Sequence, residues 1–238
     1  MIPSPPARRA TARPQPAVSS SRPDPTAFWQ GPFGDRYTER NAVRWEERVP
    51  FFRRVLELAP GVESVCEPGA NRGHDLQALH AIDPRLRLTG VEVNHKAARL
   101  LAELPFVQAV PAAIQDYTPA GRFDLVVVCG VLIHIAPADL PLVYQCLFDW
   151  SRRYVLLNEY FHPVPVEVPY RGHAGVLFKR DFGGEFWDRF AARLRLAGYG
   201  FLWKRAEPAW DNTTWWLFEK LETGEFPPPA TPIGSNKK

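Results

Sequence analysis

The chain predicts an α/β protein: a mostly parallel sheet with helices on both faces. Three observations carry this. Strand-like and helix-like segments alternate from Ser64 to Tyr160. The strand-like segments are apolar throughout, as strands buried on both sides must be. The first of them runs into a glycine-bearing turn that opens a helix, in "ESVCEPGANRGHDLQAL".

Taken in order, a helical pattern runs from Ala42 to Leu58, with Val43, Phe51, Val55 and Leu58 on one side, and Pro60 and Gly61 stop it. "SVCE" precedes a helix near Gly73–Ala81, and "LRLTGVEV" precedes one near His95–Leu104. "VQAVPAAI" follows, then "FDLVVVCGVL", a helix near Ala138–Trp150, and "YVLLNEY". A helix near Gly184–Leu196 leads into two aromatic-rich strands, "GYGFLWKRA" and "TTWWLFEKL", expected to pair as an antiparallel edge. Residues 26–222 read as one domain. Within it, 26–60 stand ahead of the sheet and 161–182 are inserted after the fifth strand. Residues 1–25, rich in Pro, Ala, Arg and Ser without an apolar run, and residues 223–238 read as disordered tails.

Composition narrows the class of function. With 45% hydrophobic and 13% aromatic residues among 238, the chain can build a sizeable core. A net charge of +3 does not call for nucleic acid. The longest apolar run, "LVVVCGVLIHI", is too short to span a bilayer, so no membrane partner is expected. Cys66, Cys129 and Cys146 lack CxxC spacing and read as reduced thiols of a cytoplasmic protein. The six histidines are scattered without ligand spacing, so no metal site is expected.

The turn after the first strand lies where an open α/β sheet holds its ligand. A dinucleotide site there carries G-x-G-x-x-G, whose amides meet a pyrophosphate. Here the pattern is E-P-G-A-N-R-G, and Glu67 stands just ahead of the first glycine. A phosphate about 4 Å from that carboxylate would be repelled by roughly 4 kcal/mol at an effective dielectric near 20. That is about a thousandfold in affinity. Glu67 therefore favours a ligand with a cationic or hydrogen-bond-donating group. S-adenosylmethionine has an amino group, a sulfonium and a ribose, and no phosphate. Gly69 and Gly73 would let the backbone approach its amino-acid portion. Glu92, at the end of the second strand, is placed to accept ribose hydroxyls, a feature shared with NAD sites. Asp116, after the third, is placed to accept from adenine N6.

At these residues the sequence resembles class I S-adenosylmethionine-dependent methyltransferases. More narrowly it resembles the pseudaminic acid biosynthesis-associated methylases. The resemblance rests on "FWQGPFGDRYTERN", "EPGANRGHDLQAL", "GVEVN", "FDLVVVCGVLIHIAP", "NEYFHPVPVEVPYRGH", "LFKRDF" and "WDNTTWWLFEK", and spans Phe28 to Lys220. It implies a Rossmann-like seven-stranded sheet, S-adenosylmethionine as cofactor, and contacts to it from Glu67, Gly69, Asn71, Gly73, Glu92 and Asp116. It leaves the methyl acceptor open.

Further residues stand at the ligand edge. His134, just after the fourth strand, is a candidate base with a suitable unperturbed pKa, or else a structural histidine donating to a loop carbonyl. Cys129 is expected to line the cofactor pocket by its small size. Glu159 is a candidate to hold an acceptor hydroxyl or amine, or to serve as a cap or ion-pair partner. Tyr160 ends the same strand. The inserted loop gathers Tyr170, Arg171, His173 and Arg180, which as a cluster predict a small, anionic acceptor. In the segment ahead of the sheet, Arg40 is a candidate partner for the cofactor carboxylate. Tyr37 would pack on its methionine chain, and Trp29 is a substrate contact or an apolar anchor. The leading expectation is methyl transfer, O-methylation ahead of N-methylation, to a sugar or specialised metabolite. The alternatives are an inactive cofactor-binding scaffold and an NAD(P)-dependent oxidoreductase.

Overall fold

A computed structural model describes residues 24–41 and 43–221; most of both expected tails, and Ala42, lie outside these residues. Two short helices come first, α1 (Pro25–Gln30) and α2 (Pro32–Arg40). Each has proline in its first turn, where the missing N–H costs nothing, and Gly31 separates them. The aromatic segment ahead of the sheet is thus helical. The helix expected over 42–58 is shorter. A 3-10 turn, Trp45–Arg48, leads into α3 (Val49–Leu58), whose start is set by Pro50, and Leu58 is exposed rather than on the buried side.

The alternating core follows: β1 (Ser64–Pro68), α4 (His74–Ile82), β2 (Arg87–Val91), α5 (His95–Ala102), β3 (Val107–Val110), β4 (Phe123–Cys129), α6 (Leu140–Trp150) and β5 (Ser151–Glu159). These five strands are parallel. The inserted segment forms a small ladder of β6 (Val166–Glu167) with β7 (Phe178–Lys179), and α7 (Phe182–Phe190) follows. β8 (Leu194–Leu202) and β9 (Thr213–Lys220) make the expected antiparallel pair, and β9 joins β5. α7 ends before the expected Leu196. The 3-10 turn Ala191–Arg193 closes it, and the buried Leu194 already pairs with Lys220.

The sheet order is β3-β2-β1-β4-β5-β9-β8. Alternate residues of the central strands feed two cores. Val126, Val128, Val155 and Leu157 meet α6 and α7 on one face. Leu125, Val127 and Leu156 meet α3 and α4 on the other. Both faces being dry explains why these strands are apolar without alternation. Among the described residues no helix is long and apolar enough to cross a membrane.

Candidate functional site

The chain passes outward from β1 to β2 and β3, then returns to β4 on the other side of β1, which opens a crevice at the carboxyl ends of β1 and β4. A cavity of about 370 Å³ occupies it. Its floor is the turn after β1. Gly69 and Asn71 take positive φ (74° and 47°), and the Gly69 N–H donates to the Val91 carbonyl at 2.7 Å, which pins the turn to β2. A Cβ on Gly69 would lie 2.5 Å from the Val131 side chain, so this turn and the one after β4 approach as closely as glycine allows.

Glu92 is buried on the wall. Its carboxylate accepts from the Asn71 N–H at 2.7 Å and the Asn94 N–H at 2.8 Å. Asn94 caps α5 by accepting from Ala97 N–H, and its amide donates to the Trp29 carbonyl and the Asp35 carboxylate, both at 3.0 Å. One asparagine thereby ties α1 and α2 to the end of β2. Opposite, Arg48 donates to Asp75 and lies 4.2 Å from the centre of the Trp210 ring. Glu67 is 5% exposed, and its Oε2 lacks a hydrogen-bond partner among the described residues. Burial, and then the carboxylate of Asp75, push its carboxyl well above the ordinary carboxylate range. Three acids, Glu67, Asp75 and Glu92, thus line a cavity wall with one half-buried guanidinium, Arg48, beside them.

His134 lines the cavity from the 3-10 turn after β4, Leu132–His134. Its Nδ1 lies 2.9 Å from the Val176 carbonyl. A carbonyl only accepts, so Nδ1 carries the proton and Nε2 keeps a free lone pair. Burial pushes this imidazole down to about 4, which makes it neutral at physiological pH and a weaker base than its ordinary pKa promises. Trp29 packs on it at 4.3 Å between ring centres.

No protein-family model matches the chain, and no curated protein matches its sequence. Solved structures do match its fold. The 1,6-didemethyltoxoflavin-N1-methyltransferase of Burkholderia thailandensis, with 1,6-didemethyltoxoflavin and S-adenosylhomocysteine bound, aligns with TM-score 0.61 and 14% identity over 83% of this chain and 87% of that one. The fold is that of the class I methyltransferases. The plantazolicin methyltransferase in complex with S-adenosylhomocysteine gives TM-score 0.57 and 12% identity, over 84% and 95% of the two chains. A SAM-dependent methyltransferase of Leishmania major gives 0.58 and 15%, over 83% and 81%.

Of the residues singled out from sequence, the methyltransferase fold brings Glu67, Gly69, Asn71, Glu92, Cys129, His134, Trp29 and Tyr37 to the cavity wall. Burial raises both the Cys129 thiol and the Tyr37 hydroxyl, so Cys129 stays a thiol.

Others stand elsewhere. Gly73 caps α4 off the cavity wall, and a Cβ there would meet Leu101 at 2.7 Å and Leu104 at 2.8 Å, so it serves close helix packing. Asp116 ends a 3-10 turn that buries Ile114 and sends the acid to solvent, so Ile114 and Gln115 take the wall. Arg40 is exposed, its guanidinium over Phe33 and Tyr37. Glu159 is fully buried, and its Oε1 accepts from Val131 and Leu132 N–H at 2.8 Å each, which makes it a cap rather than an acceptor ligand. Arg180 pairs with Glu185 at 2.8 Å. Arg171 is exposed beside the Tyr170 ring. Tyr160 donates to Asp211. Tyr170 and His173 form a second row behind Trp29 and Phe33.

Sequence reasoning missed Arg48, His74 and Asp75, and, in the loop between β8 and β9, Lys204, Trp210 and Asp211. Asp75 was visible only as an acid in a helix's first turn, where the helix dipole favours one anyway. Nothing local marked Arg48, because its partners, Asp75 and the Ala209 carbonyl, lie 27 and 161 residues away.

Proposed function

We propose that this chain is an S-adenosylmethionine-dependent methyltransferase acting on a small molecule. The observation that carries the reading is the surplus of buried acid on one cavity wall, Glu67 and Glu92 above all, in a fold shared with enzymes solved with S-adenosylhomocysteine. A buried carboxylate with an unpartnered oxygen costs stability unless a ligand supplies a donor or a cation. The cofactor fits these groups. Glu67 would face its ammonium and Glu92 its ribose hydroxyls. Arg48, oriented by Asp75 and Trp210, takes the carboxylate role expected of Arg40. Ala112 to Gln115 would flank the adenine.

When bound, S-adenosylmethionine supplies an electrophilic methyl group. The protein's share is alignment and exclusion of water, worth several kcal/mol in such displacements. His134 offers Nε2 to an acceptor proton, and Trp29 and Tyr37 cover the same end. The narrower resemblance would make the acceptor an acidic sugar or a related specialised metabolite. The groups that favoured an anionic acceptor stand off the wall, and the cations on it, Arg48 and Lys204, are paired with Asp75 and Asp211. A small acceptor without obligatory negative charge is therefore the reading retained. An oxidoreductase is disfavoured because the dinucleotide pyrophosphate would meet Glu67.

Parallel calorimetric titrations with S-adenosylmethionine, S-adenosylhomocysteine and NAD test the proposal. Micromolar binding of the two adenosyl ligands, lost in Glu92→Ala, is expected. Tight NAD binding, or no adenosyl binding, would overturn it. Single-turnover methyl transfer then separates an enzyme from an inactive binder.

A further inference from the structure

We infer that the acceptor end of this cavity is built to seat a planar aromatic ring rather than a polyhydroxylated sugar; this deepens the methyltransferase reading and rests on it. Apart from Arg48, the cofactor groups proposed above come from the loops after β1, β2 and β3, which leaves the portion under α1, α2 and the turn after β4 for the second ligand. There the wall is aromatic. Trp29, Tyr37 and His134 all line it, with Trp29 4.3 Å from His134 and 5.2 Å from Tyr37, the latter pair edge to face at 89°.

These rings are held rather than loose. Phe33 lies 5.4 Å from Trp29, and Tyr170 lies 5.5 Å from His134 and 5.8 Å from Phe33. The Nδ1 bond to Val176 fixes the His134 ring plane, and the Asn94 amide holds the Trp29 backbone. Preorganised rings with two torsions each lose little entropy on stacking against a flat ligand.

A sugar needs the opposite wall: several side-chain donors and acceptors free to pair with its hydroxyls, because each unmatched polar group costs free energy. Several polar side chains in and around the cavity are already paired with one another. Lys204 donates to Asp211, Tyr160 donates to the same carboxylate, and Arg48 is held by Asp75. The polar atoms offered here sit on the rings themselves: His134 Nε2, the Trp29 indole N–H, which has no partner among the described residues, and the Tyr37 hydroxyl, a set that suits the edge of a flat ring bearing one or two N–H or O–H groups.

The test uses the full chain saturated with S-adenosylhomocysteine, so that cofactor binding is scored first and separately. If that ligand does not bind, the methyltransferase reading fails. If it binds, the complex is titrated by calorimetry with two flat probes, 7-hydroxycoumarin and 4-hydroxyquinoline, and two sugar acids, glucuronic acid and N-acetylneuraminic acid. Binding of a flat probe and not of the sugar acids is expected, weakened about three- to tenfold in Trp29→Leu and largely restored in Trp29→Phe. Retained S-adenosylhomocysteine affinity in each variant shows that it is folded. Binding of a sugar acid in preference to both flat probes, binding of no probe, or flat-probe affinity indifferent to Trp29→Leu would overturn the inference while leaving the methyltransferase reading intact.

Discussion

At the scale of single residues the decisive group is Glu67. Its carboxyl is held above the ordinary range because it is buried and beside Asp75, so without ligand it keeps a proton to higher pH than an exposed glutamate does. A cationic ligand favours the ionised form, so binding must expel that proton. S-adenosylmethionine should therefore bind more tightly as pH rises toward Glu67's raised pKa, with proton release. Calorimetry in two buffers of different ionisation enthalpy measures this directly. Glu67→Gln should abolish the release and weaken binding roughly tenfold or more, given about 1.5–3 kcal/mol for a hydrogen bond to a charged group. Equal proton release in the variant would assign the acid elsewhere.

At the scale of elements, the site is a junction of secondary-structure ends. Arg48 comes from the 3-10 turn before α3 and Asp75 from the first turn of α4. Their bond joins two elements that also share the core of Phe51, Phe52, Leu76 and Leu79. Asp75→Ala would leave the half-buried Arg48 facing Trp210 without its carboxylate. Breaking such a pair by removing one partner costs about 3–5 kcal/mol when fully buried. The Arg48 side chain is 16% exposed, so a loss near the lower end is expected in denaturant unfolding. Glu159 does the same work between strand and turn. It accepts two N–H groups of the segment that carries His134, and so holds a cavity-lining side chain without reaching the cavity itself.

At the scale of the whole molecule, buried ionisable groups make stability depend on pH. Glu159 is raised to about 8 by burial, so the folded state binds a proton that the unfolded chain has released. Its contribution is fully present below the unfolded value of about 4.3 and is lost as pH rises through 8. Glu67 acts in the same direction. His134 and His74 are depressed to about 4, chiefly by burial, and oppose this only between 4 and the ordinary histidine value of about 6.5. Above that value the acids dominate until Lys220, lowered to about 8 chiefly by burial, begins to oppose them, and Tm should fall between pH 6.5 and about 7.5. Glu159→Gln, which keeps an oxygen for the two N–H donors and cannot ionise, should make that fall shallower. A slope unchanged in the variant would show that Glu159 does not titrate in this window.

The sequence by itself determined the α/β class, the mostly parallel sheet, the antiparallel β8–β9 pair, and the acidic turn at Glu67. These follow from local signals: apolar runs, a glycine turn after a strand, and the periodicity of helices. It also singled out Glu92, His134, Cys129, Trp29 and Tyr37, which line the cavity because each stands at or near an element end that the fold turns toward one crevice. Only the tertiary structure decided the rest. Asp116, Arg40, Arg171 and Arg180 have the right chemistry at nearly the right place, but a 3-10 turn, a ring stack or a nearby carboxylate turns each away from the cavity. Arg48, Trp210 and Asp211 enter it from positions distant in the chain and next to nothing suggestive. The physical reason is range. Which strand or helix forms is fixed by neighbours a few residues away, whereas the direction of a side chain at an element's end depends on contacts that exist only once the whole sheet is assembled.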